Sequence, residues 1–205
     1  MNFLAVDTSG NHLAVIAVKD GQAYSVFLPN CAMKHSVSVL PAIDEALKKA
    51  DLELKDCDFF AAAVGAGSFT GIRIGISAVR GLSAALDKPT LPVTSFDVAA
   101  YNILEKGKLL CLIDALHGNY YACGYEDGEV IYPPAFLTEE EVLALAADGY
   151  KICGVSDMPI SQKAELCIVD AVEGLYKAAI ALAEQGKFGE LTALYVRKSS
   201  AELGK

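Results

Sequence analysis

The stretch GAGSFTGIRIG, residues 65–75, decides how this sequence is to be read. It follows the apolar run FFAAAV at 59–64, which has the length and composition of a buried strand, and it leads into a helical apolar pattern over 72–86. A glycine-rich turn between a strand and a helix is typical of α/β proteins, because glycine permits tight turns and close approach of other groups. The same junction offers backbone N–H groups at a helix N-terminus, where anions bind.

The loop does not fit the known phosphate-binding patterns. The P-loop needs Lys and then Ser or Thr after its second glycine, whereas Gly71 is followed by Ile72 and Arg73. The GxGxxG pattern is broken because Thr70 stands where its third glycine belongs, and the nucleophile elbow GxSxG is missing. A phosphate role stays open as an alternative. Its candidate residues are Asp7, Thr8, Ser9, Gly65, Gly67, Ser68 and Thr70.

The helix after the loop explains the glycines as packing residues. Gly71, Gly75 and Ala78 lie on one stripe of small residues, and Ile72 and Val79 lie on a neighbouring apolar stripe. A helix that is small or apolar over so much of its circumference is buried on more than one side. One side can face its own sheet, and the other needs a helix of this chain or of a partner. We therefore interpret the loop as the start of a partner-binding helix.

The chain repeats its order of elements. LAVD at 4–7 and LCLID at 110–114 are both apolar strands that end in aspartate, and each is followed by a hairpin and then by helices. The segment Lys-Gly-Lys at 106–108 separates the two halves. The sequence therefore predicts an α/β protein of two related lobes, residues 1–106 and 107–205.

Apolar spacing also places the helices. Pro41 fits the first turn of a helix, so the first helix should begin near Ser38, and Pro133-Pro134 should close the hairpin of the second half. The predicted helices are 38–50, 72–86, 96–105, one beginning at Thr138, and 170–185.

Composition narrows the classes of function. The net charge of −9 disfavours a protein whose main task is to grip nucleic-acid phosphates. No apolar run approaches the roughly 20 residues of a membrane span, and Asp7 interrupts the first apolar run early, so we expect a soluble cytoplasmic protein. None of the six cysteines forms a CxxC pair, which favours buried reduced thiols. The three histidines lack ligand spacing, so a histidine metal centre is not expected.

Three further places carry polar residues next to strands or helices. Asp7, at the end of the first strand, suits a Mg²⁺–nucleotide contact, although a turn in which Asp7 and Ser9 bond the backbone is the favoured interpretation. His35 precedes a helix and is interpreted as a surface-contact or capping residue. Asp114 and His117 could perform acid–base work, but no nucleophile lies nearby, and a polar loop is favoured.

The motif at 65–75 closely resembles the pattern G-x-G-S-F-T-G-[LI]-R of the bacterial TsaB (YeaZ) family. The resemblance extends over nearly the whole chain, in the family's order. The supporting segments are LAVDTS near the start, His35 to Asp44, Lys88 to Ser95, the strand ending at Asp114, and a terminal Y-x-R at Tyr195 to Arg197.

This resemblance implies an actin/Hsp70-like (ASKHA) fold of two lobes, in agreement with the repeat. It also implies a role in making N6-threonylcarbamoyladenosine (t6A) at position 37 of tRNAs that read codons beginning with A. In the family the protein is a non-catalytic partner of the paralogous transferase TsaD, an ATPase, TsaE, joins them, and TsaC-type enzymes make the threonylcarbamoyl-adenylate donor. The catalytic paralogue has a metal-binding HxxxH motif that falls on Ser95 and Ala99 here, and neither side chain binds metal as imidazole does.

The resemblance further implies that the first two long helices pack against the matching pair of the paralogue or of a second copy in a homodimer. The implied interface residues are His35, Val39, Leu40, Ile43, Leu47, Phe69, Ile72, Arg73, Gly75, Ile76, Val79 and Leu82. No cofactor of its own is expected, with ATP or ADP and Mg²⁺ expected only at the interface of the assembled complex, and tRNA is expected to be met only through that complex. Two residues depart from the family: Leu116 replaces a usual arginine, and Ala66 replaces a usual proline, whose loss should loosen the loop modestly.

Three hypotheses result. The leading one is a scaffold and activator of tRNA modification, without glycoprotease or transferase activity of its own and without a membrane partner. The second is an ATP-using phosphotransferase of the same fold, with Asp7 on the metal and the glycine loop on phosphate. The third is a nucleotide-dependent, self-associating module without turnover.

Overall fold

A computed structural model describes residues 1–103 and 107–196 of the chain. Its first half forms a five-stranded sheet with the order β3-β2-β1-β4-β5. The strands are β1 (Phe3–Asp7), β2 (Leu13–Lys19), β3 (Gln22–Leu28), β4 (Phe59–Ala63) and β5 (Thr90–Val93). The first three run antiparallel, and β4 and β5 continue parallel to β1. Because β1 and β4 lie in the middle and are covered on both faces, every one of their residues is buried.

The second half forms another five-stranded sheet, with the order β10-β9-β6-β7-β8. Its strands are β6 (Lys108–Asp114), β7 (Asn119–Glu126), β8 (Glu129–Thr138), β9 (Lys151–Gly154) and β10 (Leu166–Ile168). Again the first three strands are antiparallel and the last two run parallel to the first. The two sheets therefore share one topology, which confirms the repeat and the two-lobed α/β fold that the sequence predicts.

In the described ranges, five helices cover the sheets. They are α1 (His35–Ala50), α2 (Phe69–Leu86), α3 (Ser95–Ala100), α4 (Glu139–Ala147) and α5 (Ala171–Glu184). Helices α1 and α2 share one core with the first sheet, and α4 covers one face of the second sheet. Short α3 packs on the other face of the second sheet and against α5, so it joins the two halves.

Helix α5 packs on the first sheet, although it follows the second sheet in the sequence. It belongs to the second half of the chain, yet Leu175 and Ala178 pack against Phe3 and Ile16 on the free face of the first sheet. The following segment also returns to the first half, because Leu191 is buried in the core of α1 and α2, and the Leu194 amide donates to the Val64 carbonyl at 2.7 Å. The division at 106–107 stays a prediction, and residues 104–106 lie outside the described part.

Two elements that contain proline have boundaries that differ from the predicted ones. Helix α1 begins at His35, so Pro41 stands inside it, is exposed, and provides no amide donor to the carbonyl four residues earlier. Strand β8 continues through Pro133 and Pro134 to Thr138, because β8 is an edge strand whose outward amides need no partner.

The third predicted helix, 96–105, is shorter than expected. Helix α3 ends at Ala100, and residues 104 and 105 lie outside the described part. Across the described ranges, no helix combines the length and the apolar character that a membrane crossing requires.

Candidate functional site

The turn after β1 holds a buried carboxylate and a buried imidazole. The Ser9 amide donates to Asp7 Oδ1 at 2.7 Å, which is the turn interpretation of Asp7. His12, at the start of the hairpin, lies with Nε2 3.3 Å from Asp7 Oδ2, and its ring stacks on Phe27. Asp7 is 1% exposed and His12 is 9% exposed. The Asp7 carboxylate is therefore engaged inside the protein.

Each member of this pair stabilises the charged form of the other. Burial raises the pKa of Asp7, but the hydrogen bond and charge of His12 and the bonds from Ser9 outweigh it, so the pKa lies below its usual value. Burial lowers the pKa of His12, but the hydrogen bond and charge of Asp7 outweigh it, so the pKa is raised. The two groups thus form a buried, mutually stabilising pair beneath the surface of the first lobe.

The glycine loop packs directly on this turn. A Cβ atom at Gly71 would overlap the Thr8 carbonyl oxygen, and one at Gly67 would overlap the Ser9 carbonyl oxygen. The Ser68 amide donates to the Ser9 carbonyl at 2.7 Å, and Thr8 Oγ1 donates to the Gly71 carbonyl at 2.7 Å. The loop and the turn that we considered for phosphate binding are therefore brought together, and these glycines make room for the chain itself.

The remaining candidate phosphate residues lie at the edge of this contact. The Ser68 hydroxyl accepts from the Gly71 amide as the N-cap of α2, and Thr70 is exposed in the first turn. A Cβ at Gly65 would meet the Leu194 carbonyl at 2.9 Å, where the C-terminal segment crosses the loop. The phosphate assignment stays a prediction.

A cleft of about 760 Å³ opens between the two lobes. Its walls include His12, Phe27 and Ser68 from the first lobe and Asp114 and Asp157 from the second, and no described residue that lines it is a lysine or an arginine. Nucleotide phosphates require cationic side chains or a free helix N-terminus, and Mg²⁺ requires carboxylates that are free to bind it. Because Asp7 is paired with His12, its carboxylate is not free to bind Mg²⁺ in this arrangement.

The two positions of the metal motif hold a hydroxyl and a methyl group. Ser95 is buried and donates to Ser9 Oγ at 2.9 Å, and Ala99 packs in the apolar core between α3 and the second sheet. Among the described residues, no group of three or more potential ligand side chains is arranged to hold a metal ion.

The loop after β6 is a polar turn. Asp114 Oδ1 accepts from the Leu116 amide at 2.7 Å, and Leu116 and His117 both adopt positive φ. No hydrogen bond joins Asp114 to His117 among those of the described residues. Leu116, which replaces the usual arginine of the family, is 63% exposed at the rim of the cleft.

The structure divides the implied interface residues into two groups. Seven of them are buried in the protein's own core: His35, Val39, Ile43, Ile72, Gly75, Ile76 and Val79. His35, interpreted as a surface or capping residue, instead donates from Nε2 to the His12 carbonyl at 2.9 Å. Five reach the surface: Leu40, Phe69 and Arg73 are exposed, and Leu47 and Leu82 are half-buried.

Leu40, Leu47 and Leu82 belong to a broader apolar face on α1 and α2. We call it the partner face and define it as Val37, Leu40, Leu47, Ile74, Ala78, Gly81 and Leu82. Val37 is 71% exposed and Leu40 is 59% exposed, which is unusual for two large apolar side chains on one helix face. A Cβ at Gly81 would meet nothing within 4 Å, so no contact within the described part of the chain requires this mid-helix glycine.

An aromatic cluster borders the start of α2. The ring of Phe69 stacks on Tyr195, with centroids 4.9 Å apart, and the Arg73 guanidinium lies 3.7 Å from the centre of the Phe69 ring. Arg73 Nε donates to the Tyr195 hydroxyl at 2.9 Å. The C-terminal segment is thereby attached to the same helix that carries the partner face. Arg197, the last residue of the Y-x-R motif, lies outside the described residues.

Sequence reasoning missed two features of this region. His12 lies five residues beyond Asp7 across a hairpin turn, and only the pairing of β1 with β2 brings the two together. Gly81 could have been found, because a glycine inside a helix costs about 1 kcal/mol relative to alanine and therefore calls for a packing reason.

The chain is similar to known proteins in sequence and in structure. Residues 22–165 match the family model of TsaD, tRNA N6-adenosine threonylcarbamoyltransferase. The chain belongs to this family. The tRNA threonylcarbamoyladenosine biosynthesis protein TsaB of Buchnera aphidicola subsp. Schizaphis graminum is 35% identical over 121 residues, which cover 58% of this chain and 57% of that protein. Within the family, the chain lies in the TsaB/YeaZ group.

Two further comparisons support this placement. A crystal structure of a protein from Pseudomonas aeruginosa, described as similar to peptidase YEAZ, has a TM-score of 0.80 and 28% identity, and the match covers 96% of this chain and 99% of that one. The tRNA N6-adenosine threonylcarbamoyltransferase of Kosmotoga olearia is 34% identical over 108 residues, 45% of this chain and 33% of that protein. The fold is accordingly the actin/Hsp70-like ASKHA fold. The aligned chain spans little more than half of the curated TsaB relative.

Proposed function

We propose that this chain is a non-catalytic subunit that binds and activates a TsaD-type transferase during formation of t6A at position 37 of tRNAs that read codons beginning with A. The names of its relatives support the pathway, since they include a t6A biosynthesis protein and the transferase itself. The proposal places the protein in the cytoplasm, with a TsaE-type ATPase joining the complex and tRNA met through the assembly.

The partner face is the observation that carries this proposal. Its exposed apolar side chains on α1 and its small residues on α2 suit the close packing of another helix pair. The small residues Ala78 and Gly81 let a partner helix approach closely. A TsaD-type paralogue of the same fold would offer a matching pair of helices. A homodimer through the same face is the competing assembly.

The chemistry of the buried groups supports a non-catalytic role. Ser95 and Ala99 cannot supply the imidazoles of a metal site, and the Asp7 carboxylate is paired with His12. The described residues that line the cleft include no lysine or arginine that could bind phosphate. A nucleotide in the assembled complex would therefore take its phosphate contacts from the partner. The phosphotransferase alternative predicts tight Mg-ATP binding and turnover by the isolated chain, and calorimetry should show neither.

The decisive experiment is to mix the purified chain with the TsaD protein of the same genome and to measure co-elution and affinity. Leu40→Glu and Ala78→Glu should weaken the complex by about 100-fold, because each would bury an unpaired charge against the partner. Val130, which is 53% exposed on β8 of the other lobe, provides the matched control. Val130→Glu should leave the affinity unchanged.

Thermal unfolding of each variant establishes that the lobe is intact. Absence of a complex at micromolar concentrations, with and without Mg-ATP, would reject the proposal. Equal loss of affinity in Val130→Glu and Leu40→Glu would reject the partner face in particular. Concentration-dependent dimers that persist when the TsaD protein is added would favour the homodimer.

A further inference from the structure

Four cysteines of the second sheet lie side by side in one row. Cys167 on β10 is opposite Cys153 on β9, Cys153 is opposite Cys111 on β6, and Cys111 is opposite Cys123 on β7. Directly opposite residues of neighbouring strands point to the same face of a sheet. All four belong to the same apolar cluster beneath α3. The proposed role in t6A formation makes no use of this cysteine row.

The thiols in the interior of the row are close together and have low reactivity. Cys111 Sγ and Cys153 Sγ are 3.5 Å apart, and both residues are fully buried. Burial, followed by the hydrogen bond with Cys153, raises the pKa of the Cys111 thiol well above its usual range. Burial also raises the pKa of Cys123 to about 11. Because the thiolate is the reactive form, neither of these two residues would begin an oxidation.

Cys167 differs from the others in its access to solvent. It is half-buried, whereas the other five cysteines of the chain are buried. It lies on β10, which is an edge strand of the second sheet. A small oxidant can therefore reach this end of the row first. The next thiol inward is that of Cys153.

The strand register makes a bond between these two neighbours feasible. Neighbouring strands lie about 4.8 Å apart, which is within the roughly 4.4–6.8 Å between Cα atoms that a disulfide requires. The described residues contain no group of three or more His, Cys, Asp or Glu side chains arranged for a metal ion.

We propose that Cys167 is a peroxide-reactive thiol and that Cys153 is its resolving partner. In the first step the Cys167 sulfur attacks hydrogen peroxide, the O–O bond breaks, and a sulfenic acid and one water form. In the second step the Cys153 sulfur attacks the Cys167 sulfur, the S–O bond breaks, and the hydroxide leaves with the Cys153 proton as a second water. Two thiols lose two electrons in total, and one peroxide is reduced to two waters.

The resulting disulfide would join β9 to β10 at the edge of the second sheet, and added thiol would reverse it. The site is independent of the partner face, which lies on α1 and α2 of the first lobe. It is therefore a modification site whose test does not depend on the proposed function.

The test is to treat the full-length chain with hydrogen peroxide, block the remaining thiols with N-ethylmaleimide and map peptides by mass spectrometry. We expect a Cys153–Cys167 cross-link and the loss of two of the six free thiols, restored by dithiothreitol. In Cys153→Ser the sulfenic acid should persist, and dimedone should label Cys167. In Cys167→Ser neither the label nor the cross-link should form, whereas Cys57→Ser, which removes a buried cysteine outside the row, should behave as the parent.

Other results would overturn the proposal. They are first oxidation at another cysteine, cross-linking between molecules through Cys167, or an unchanged thiol count. Because the parent chain alone gives the cross-link map, the test stands even if a serine variant fails to fold.

Discussion

The two lobes share one sheet topology but differ in the connection between the fourth and fifth strands. In the first lobe, β4 and β5 are joined through the glycine loop and the 18-residue helix α2. In the second lobe, β9 and β10 are joined by a segment whose regular part is the four-residue 3₁₀ turn Pro159–Gln162. The sheets are therefore equivalent, and the long crossover helix is what the first lobe adds.

The difference shows where each lobe directs its apolar surface. Helix α2 buries one side in its own core and leaves Ile74, Ala78 and Gly81 toward the outside beside α1. In the second lobe, α4 has nine residues and lies against its own sheet. The same sheet thus carries helices with exposed apolar residues in the first lobe, and a row of cysteines occurs in the second.

The largest expected effect concerns the close packing between Gly71, at the start of α2, and the turn after β1. Gly71→Ala should lower the free energy of unfolding by about 2–3 kcal/mol, because the added Cβ overlaps the backbone of Thr8. Gly81→Ala on the same helix is the matched control and should raise it by about 0.5–1 kcal/mol, since nothing surrounds that position and alanine favours the helix. Urea unfolding measures both. Equal effects of the two substitutions would contradict the close packing of loop and turn.

The second test separates stability from partner binding at one position. Gly81→Leu should fold normally and bind the TsaD-type partner about tenfold more weakly, a loss of roughly 1.4 kcal/mol, because a large side chain keeps the partner helix at a distance. Titration calorimetry or surface plasmon resonance gives the affinity. Full affinity in a folded Gly81→Leu protein would show that α2 does not meet a partner at this point.

A smaller effect is expected for the helix of the second lobe. Thr138 caps α4, with its hydroxyl accepting from the Glu141 amide at 3.3 Å while Glu141 bonds back to the Thr138 amide. Thr138→Ala should cost about 1 kcal/mol of stability and leave partner binding unchanged. Urea unfolding and the affinity measurement together check this. Weaker partner binding would mean that the second lobe also contributes to the interface.

The smallest expected effect is a dependence of the free energy of unfolding on pH, which comes from Asp7 and His12 of the first lobe. The raised pKa of His12 means that its stabilising contribution is complete below the unfolded value of about 6.5 and is lost as pH rises through the folded value. The lowered pKa of Asp7 gives a contribution that is present above about 3.8 and is lost as pH falls. Between pH 6 and pH 9, the parent should therefore lose stability relative to His12→Asn. His117→Asn, in the exposed loop of the second lobe, should keep the slope of the parent.

The sequence predicts the architecture well because strand periodicity and the order of elements can be recognised without knowledge of tertiary contacts. The repeat of an aspartate-ended strand and a hairpin corresponds to β1–β2 and β6–β7, and the glycine loop begins a helix as expected. The sequence is less informative about burial, because α2 carries two apolar stripes and periodicity alone does not tell which one faces the sheet. Ile76 and Val79, for example, are expected at the interface but lie in the core.

Contacts that depend on strand register were beyond the reach of the sequence. The Asp7–His12 pair and the cysteine row both require knowledge of which residues stand opposite each other on neighbouring strands. Single-sequence patterns fix the direction in which a side chain points along a strand but not its neighbour on the next strand.

The return of α5 to the first sheet has a consequence for the order of folding during synthesis. Strands β1 and β2 are translated before the second sheet, but the helix that covers their second face, Ala171–Glu184, is translated after it. Until then, Phe3 and Ile16 have no cover from α5. The first sheet is therefore completed by residues that are made only after the second sheet, and a nascent chain that stops after the second sheet would expose an apolar surface for chaperones to hold.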